Sequence, residues 1–424
     1  MVYQRPKGTN DVLPQEAVIW QKLENTERQI AAKFGYSEIR VPIFENLNLF
    51  QRSAGETSDV VAKEMYEFTD KGNRKMALRP EGTAGVVRAY IENKLFGPEF
   101  AKPFKVYYLG PMFRYERPQS GRSRQFNQFG VEAFGVEDPR LDAETITLAV
   151  EILKTLEITE VKVALNTLGD QESRQAYEKA LVDYLTPYEA ELSEDSKIRL
   201  VKNPLRILDS KDPTDQKIVA DAPKIIDYLT DSAAQYFEEV KKYLALNGID
   251  FVIDEELVRG LDYYNHTIFE LIYTGDRFGG SELTLIAGGR YNQLVEELGG
   301  PATPGVGFGL GEERLIEILA QNEDLKEELQ PEVDLFLVGV EEESVPEIFQ
   351  LANTLRERGL SVAYDYTGRS LKSQFKLANR LKSRYTIVIG SKEIADKVYR
   401  LKKMSDGTEF ELALKDITKG RLED

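Results

Sequence analysis

The stretch Met112 to Gly135, MFRYERPQSGRSRQFNQFGVEAFG, constrains the fold of this chain more than any other. It reads as two strands joined by a loop too polar to bury. Side chains two apart on a strand share a face, so Arg114 and Glu116 lie together on the first strand. Phe126, Gln128, Gly130 and Glu132 form the matching set on the second. Folded back on each other, the strands carry a guanidinium, two carboxylates, an amide and an aromatic ring on one surface. The loop adds Arg117, Arg122 and Arg124. Unpaired charges are too costly to bury for this to be an ordinary core face. Arginine is the residue best suited to paired contacts with phosphate or carboxylate oxygens. The stretch therefore reads as floor and lid for a phosphate-bearing ligand, against the plainer alternative of an exposed, salt-bridged hairpin.

Composition narrows the chemistry. The chain has no cysteine, which removes disulfides, thiol nucleophiles and thiolate zinc sites, so no zinc and no resident metal is expected. His266 is the single histidine, and a hydrogen-bonded or solvated loop position suits it better than a catalytic one. The work falls to Arg, Lys, Asp, Glu, Tyr and backbone groups, which favours positioning and electrostatic stabilisation over proton shuttling. A net charge of −17 cautions against a nucleic-acid partner, although local patches decide binding. With 424 residues there is room for two or three domains. No apolar run reaches the length of a bilayer and the N-terminus lacks a signal-peptide layout, so a soluble, cytoplasmic protein with no membrane partner is expected.

Pro14 to Phe34 reads as a helix stopped by Gly35, and Ser37 to Phe44 as an edge strand carrying Pro42. ALRPEGT, Ala77 to Thr83, reads as a strand that turns through Gly82 into a helix. Glu81 sits at that corner, either facing a ligand or capping the helix. Leu141 to Leu156 reads as a helix. Residues 160–251 read as an inserted helical module, interrupted by NPLRILDSK at Asn203 to Lys211. Leu257 to Leu271 returns to strand character, with Arg259, Asp262, Tyr263 and Tyr264 in a polar, aromatic packet. In GVGFGLGEER, Gly305 to Arg314, alternate glycines leave one strand face bare, on which a flat ring such as adenine could lie. Val306, Phe308 and Leu310 face the core, and the spacing fits neither the Rossmann fingerprint nor the P-loop. A linker at 326–332 separates residues 1–325 from a small α/β domain at 333–424. There Lys372, Lys376 and Arg380 share a helix face in a run without acids, which suits an RNA backbone.

These strings resemble the histidyl-tRNA synthetase family of class II aminoacyl-tRNA synthetases, over essentially the whole length. Phe34 to Pro42, FRYE at Phe113 to Glu116, and GLGEER at Gly309 to Arg314 look like the three class II motifs. LVRGLDYY at Leu257 to Tyr264 and AGGRY at Ala287 to Tyr291 are the histidine-specific signals, supported by RPEGT, NPLRILDSK and KGTNDVLP. Asn292 and Gln293 depart from the Asp and Gly expected after GGRY.

The resemblance implies an α+β (mixed α/β) fold: a catalytic core on an antiparallel sheet, a helical insertion and a C-terminal anticodon-binding domain. It implies a homodimer that uses ATP, with Mg2+, to make histidyl-adenylate and pyrophosphate, then charges the tRNA for histidine. By motif match Arg114 and Arg259 would act at the α-phosphate and substrate carboxylate, and Glu116 would hold the adenine amino group. Phe126 would stack on adenine while Arg122 and Arg314 grip the γ-phosphate. Glu81, Gly82, Thr83 and Gln128 would take the α-amino end, and Glu132, Tyr263 and Tyr264 the imidazole. Lys372, Lys376 and Arg380 would meet tRNA. The rival reading is the non-catalytic regulatory subunit of ATP phosphoribosyltransferase, a paralogue that generally lacks the C-terminal domain and degrades the ATP-gripping arginines.

Overall fold

The computed structural model describes residues 3–54, 61, 63–117, 121–258, 263–280, 282–329 and 333–417. The chain divides into two compact units, Met1–Leu325 and Lys326–Asp424. The strands of the first are β1 (Ser37–Glu38), β2 (Phe44–Asn46), β3 (Glu67–Thr69), β4 (Lys75–Leu78), β5 (Phe104–Phe113) and β6 (Gln125–Phe134). They continue with β7 (Val161–Thr167), β8 (Val252–Ile253), β9 (Asn265–Tyr273), β10 (Leu283–Tyr291) and β11 (Gly305–Gly311). The helices that position the site are α1 (Pro14–Lys33), α2 (Thr83–Glu92), α3 (Pro139–Thr155), α4 (Asp231–Leu246) and α5 (Glu312–Leu319).

Eight strands form one sheet in the order β1-β5-β6-β11-β10-β9-β7-β8. Only the flanking pairs β1/β5 and β7/β8 are parallel, and the six central strands run antiparallel. Tyr90 of α2 stacks on Phe134 of β6 at 4.6 Å between ring centroids, within a core that also takes in Val86, Val106 and Ile268. Burial of each such side chain is worth about 1.5–3 kcal/mol. α1 lies against α3 and α5. β2, β4 and β3 make a separate three-stranded sheet.

The structure departs from the pattern reading in two places. The edge strand expected over Ser37 to Phe44 is only β1, and the chain then leaves the sheet for β2. Pro42 has no N–H to offer a ladder, and the carbonyls of Val41 and Ile43 accept instead from Arg79. The span 160–251 does not begin as a helix, because β7 at its start is paired with β9 in the main sheet. Beyond β7 the helices gather their own core around Tyr177, Leu181, Leu185, Leu205 and Ile207. Asp170 caps the first of them through Ser173 N at 2.8 Å.

The second unit holds a five-stranded sheet with two parallel and two antiparallel pairings around Leu335–Gly339 and Tyr385–Ile389. Its helix α6 (Leu371–Arg380) buries Gln374 and Ala378. Lys372, Lys376 and Arg380 stand exposed on the opposite face. Among the described residues no helix is long and apolar enough to cross a membrane.

Candidate active site

In the register of β5 and β6, Tyr108 lies opposite Gly130, Met112 opposite Phe126 and Val106 opposite Glu132. The even-numbered residues of both strands thus share a face. Over it opens a cavity of about 560 Å³. Arg114, Glu116, Arg122, Phe126 and Gln128 line it from the hairpin, and Arg314 from α5. Glu81 and Thr83 line it from the corner before α2, and Tyr263 and Tyr264 from the segment before β9. Gly82 packs under Tyr108 at that corner, where a Cβ would overlap the ring. Arg259 lies outside the described residues, together with Gly260, Leu261 and Asp262.

The hairpin end of the cavity is arginine-rich. Arg114 donates from Nε to Pro80 O at 2.9 Å, and its guanidinium lies 5.2 Å from the Phe126 ring centroid. Glu116 stands between two cations, 3.8 Å from Arg114 Nη1 and 3.5 Å from Arg122 Nη1. Arg314 donates to Thr284 O, and burial together with the Arg122 charge pulls its proton affinity down. Two arginines whose charges oppose each other gain from an anion held between them. The loop is pinned to α5: Glu317 accepts from Gly121 N at 2.9 Å and Glu313 from Asn127 N at 2.7 Å. Of the three loop arginines read as phosphate ligands, only Arg122 lines the cavity. Arg124 instead stacks on Tyr115 at 3.8 Å.

The other end is a nest of carboxyls and phenols. Glu81 is buried and caps α2, accepting from Thr83 N at 2.6 Å and Ala84 N at 2.9 Å. Capping and facing the cavity are thus combined in one residue. Burial raises its carboxyl and those backbone donors hold it back. Glu132 lies just beneath the cavity floor, 1% exposed, accepting from the Thr83 hydroxyl at 2.7 Å and from the Tyr291 hydroxyl. Burial pushes its carboxyl up to about 8 despite the two donors.

The bare face expected along Gly305 to Gly311 is largely filled. A Cβ at Gly305, Gly307 or Gly309 would collide with Tyr291, Glu132 or Gln128. These glycines make room for the polar side chains of neighbouring strands, and only Gly311 faces open space. Val306, Phe308 and Leu310 are buried on the other face.

Pattern reading missed Tyr108 and Tyr291. Tyr108 occupies the space left by Gly82 and Gly130 and lines the cavity. Its signal was its even position on the same strand face as Arg114. His266 is neither in a loop nor solvated: it is 8% exposed at the start of β9, 4.9 Å from the Tyr236 ring. It stands apart from the cavity, near the buried Arg290–Asp142 ion pair. Asn292 completes that network, accepting from Arg290 at 3.3 Å and donating to Glu137 at 2.8 Å. An amide can do both, whereas the ionised Asp expected there can only accept.

The family model described as histidyl-tRNA synthetase matches residues 8–315. The chain belongs to the histidyl-tRNA synthetase family. A second model, an anticodon binding domain, matches residues 333–420. The histidine–tRNA ligase of Ligilactobacillus salivarius is 55% identical over 417 residues, covering 98% of this chain and 96% of that protein. That of Lacticaseibacillus casei is 56% identical over the same shares. Apo histidyl-tRNA synthetase from S. aureus superposes with a TM-score of 0.86 at 39% identity, with both chains fully covered. The family match covers the eight-stranded sheet of the first unit, and the anticodon-domain match falls in the second unit.

Proposed function

We infer that the chain is a histidine–tRNA ligase. It activates histidine with ATP to histidyl-adenylate and pyrophosphate, then transfers the histidyl group to the 3′ end of its tRNA. The observation that carries this is one cavity lined both by arginines and by the Glu81–Tyr264 nest, in a chain of this family. Full-length likeness to curated histidine–tRNA ligases, with the anticodon domain present, decides against the regulatory subunit.

In the activation step a carboxylate oxygen of histidine forms a bond to the α-phosphorus as the bond to the pyrophosphate oxygen breaks. The attacking carboxylate is already ionised at neutral pH, so no general base is required. Alignment and stabilisation of the charge growing on phosphate oxygens do the work. Arg114, braced by Pro80 and Phe126, holds the α-phosphate and the substrate carboxylate. Arg122 and Arg314 hold the γ-phosphate, and magnesium enters with ATP as part of the substrate. Glu116 accepts from the adenine amino group while Phe126 stacks on the ring. Arg259, by motif match, meets the α-phosphate from the other side. Glu81, Thr83 and Gln128 bind the α-amino group, and Glu132, Tyr263 and Tyr264 select the imidazole. A buried polar nest discriminates strongly, since an analogue lacking the ring N–H strands its partners. Lys372, Lys376 and Arg380 contact the tRNA. The working form is a cytoplasmic homodimer, supported by the likeness of Phe34 to Pro42 to the first class II motif.

Histidine-dependent activation by Arg259→Ala and Arg114→Ala tests these roles. Each loses on the order of a hundredfold or more in activation rate while melting as the parent does. Unchanged activation in either variant removes that residue from the mechanism.

A further inference from the structure

The helical insertion reaches the cavity at one described residue. Arg206 alone among the lining residues comes from residues 168–251. It sits in the turn Pro204–Ile207, and all four residues of that turn are buried. Leu205 and Ile207 anchor the turn in the insertion's own core. The Arg206 carbonyl accepts from Arg199 Nη1 at 3.3 Å. Four residues on, the Ser210 hydroxyl donates to buried Asp215 at 2.6 Å, which also takes the hydroxyls of Ser193 and Ser196 at 2.6 Å. Arg206 is therefore presented from a braced turn and not from a loose loop, as a ligand-positioning group requires.

The other lining residues show where it faces. Arg206 borders the cavity together with Glu270, Thr284 and Arg314. Glu270 of β9 accepts from the Thr284 hydroxyl at 2.7 Å. The Thr284 carbonyl in turn holds Arg314. Arg206 and Arg314 thus border the same part of the cavity from different elements, one on the insertion and one on α5.

We propose that Arg206 is a further polyphosphate-binding residue, its guanidinium holding the β- and γ-phosphates of ATP and then the departing pyrophosphate. This rests on the reading of the cavity as the ATP site. The insertion is then a working wall of the activation site, supplying a further cation to the cavity that Arg122 and Arg314 also line. An arginine there grips two phosphate oxygens at once, which a lysine cannot do.

The test uses the full-length protein and four probes: ATP, pyrophosphate, AMP and a non-hydrolysable histidyl-adenylate analogue. In Arg206→Ala the affinities for ATP and pyrophosphate fall about tenfold or more, the loss typical of a charged hydrogen-bond pair. Those for AMP and the adenylate analogue stay within about twofold, and Arg206→Lys recovers part of the ATP affinity. Equal weakening of all four probes would mean a structural role and overturn the proposal. So would unchanged ATP binding, or a loss confined to tRNA charging. If Arg206→Ala does not fold, Arg206→Lys carries the test, since selective loss for ATP over AMP supports the proposal and equal loss overturns it. Absence of histidine-dependent exchange in the parent protein would instead strike at the ligase reading.

Discussion

Glu132 ties the residue scale to the chemistry. Its carboxyl is held up to about 8 by burial, whereas an imidazole titrates near about 6.5. A histidine side chain bound against it shares one proton with it. Between those values the free partners already carry that one proton in total, below them they carry two, and above them none. Histidine affinity is therefore expected to be greatest between about pH 6.5 and 8 and to weaken on either side. In Glu132→Gln the KM for histidine rises, by about tenfold or more, and the alkaline limb near pH 8 disappears. A KM profile for histidine with an unchanged alkaline limb would remove Glu132 from the imidazole site. Beside it, Gly307 has no room for a methyl group, since a Cβ there meets the Glu132 carboxylate and the Val131 carbonyl. Gly307→Ala is expected to cost about 1–3 kcal/mol in denaturant unfolding and to weaken histidine binding as well. Loss of neither would mean that β11 can move aside.

At the scale of elements, α1 and α5 meet through two buried acids, Glu27 and Glu312. Burial and mutual repulsion hold the Glu27 carboxyl far above its ordinary range. Glu312 is pushed up to about 8 by burial and by Glu24 and Glu313, and Glu313 to about 7. A carboxyl raised in the folded state binds its proton more tightly there than when unfolded. Its stabilising effect is complete below about 4.5 and declines to nothing as the pH climbs through about 8. Melting temperature is expected to fall across that window, and Glu312→Gln to flatten the fall. An equally steep fall in that variant would place the effect elsewhere. The hairpin face was legible because period-two alternation and costly charges admit few placements. The alternate glycines of β11 were legible as a bare face, but not as one already filled. What fills it comes from Glu132 and Gln128 on β6 and Tyr291 on β10, and cross-strand neighbours are set by register, which no single stretch encodes. β7 was missed for a similar reason, as a short strand whose partner lies about a hundred residues away.

On the proposed function the two units of the molecule divide the labour. The acidic chain concentrates a run of cations on α6, whose exposed Lys372, Lys376 and Arg380 face away from buried Gln374 and Ala378. Replacing all three with Ala is expected to raise the KM for tRNA and to flatten its dependence on salt, since each phosphate contact contributes to that slope. Histidine activation without tRNA stays as in the parent, and equal loss of both steps would contradict the division. The two compact units part between Leu325 and Lys326, next to the charged, proline-bearing stretch before residue 333. The departure at Asn292 was visible in the sequence, but its physical sense needed Glu137 and Arg290 brought to it by the fold. The most direct measurement is exchange of labelled pyrophosphate into ATP, with each amino acid in turn and no tRNA. Exchange with histidine alone is expected, from a cavity whose cations fit a polyphosphate and whose buried nest fits an imidazole. Exchange with a different amino acid, or with none from folded protein, would contradict it.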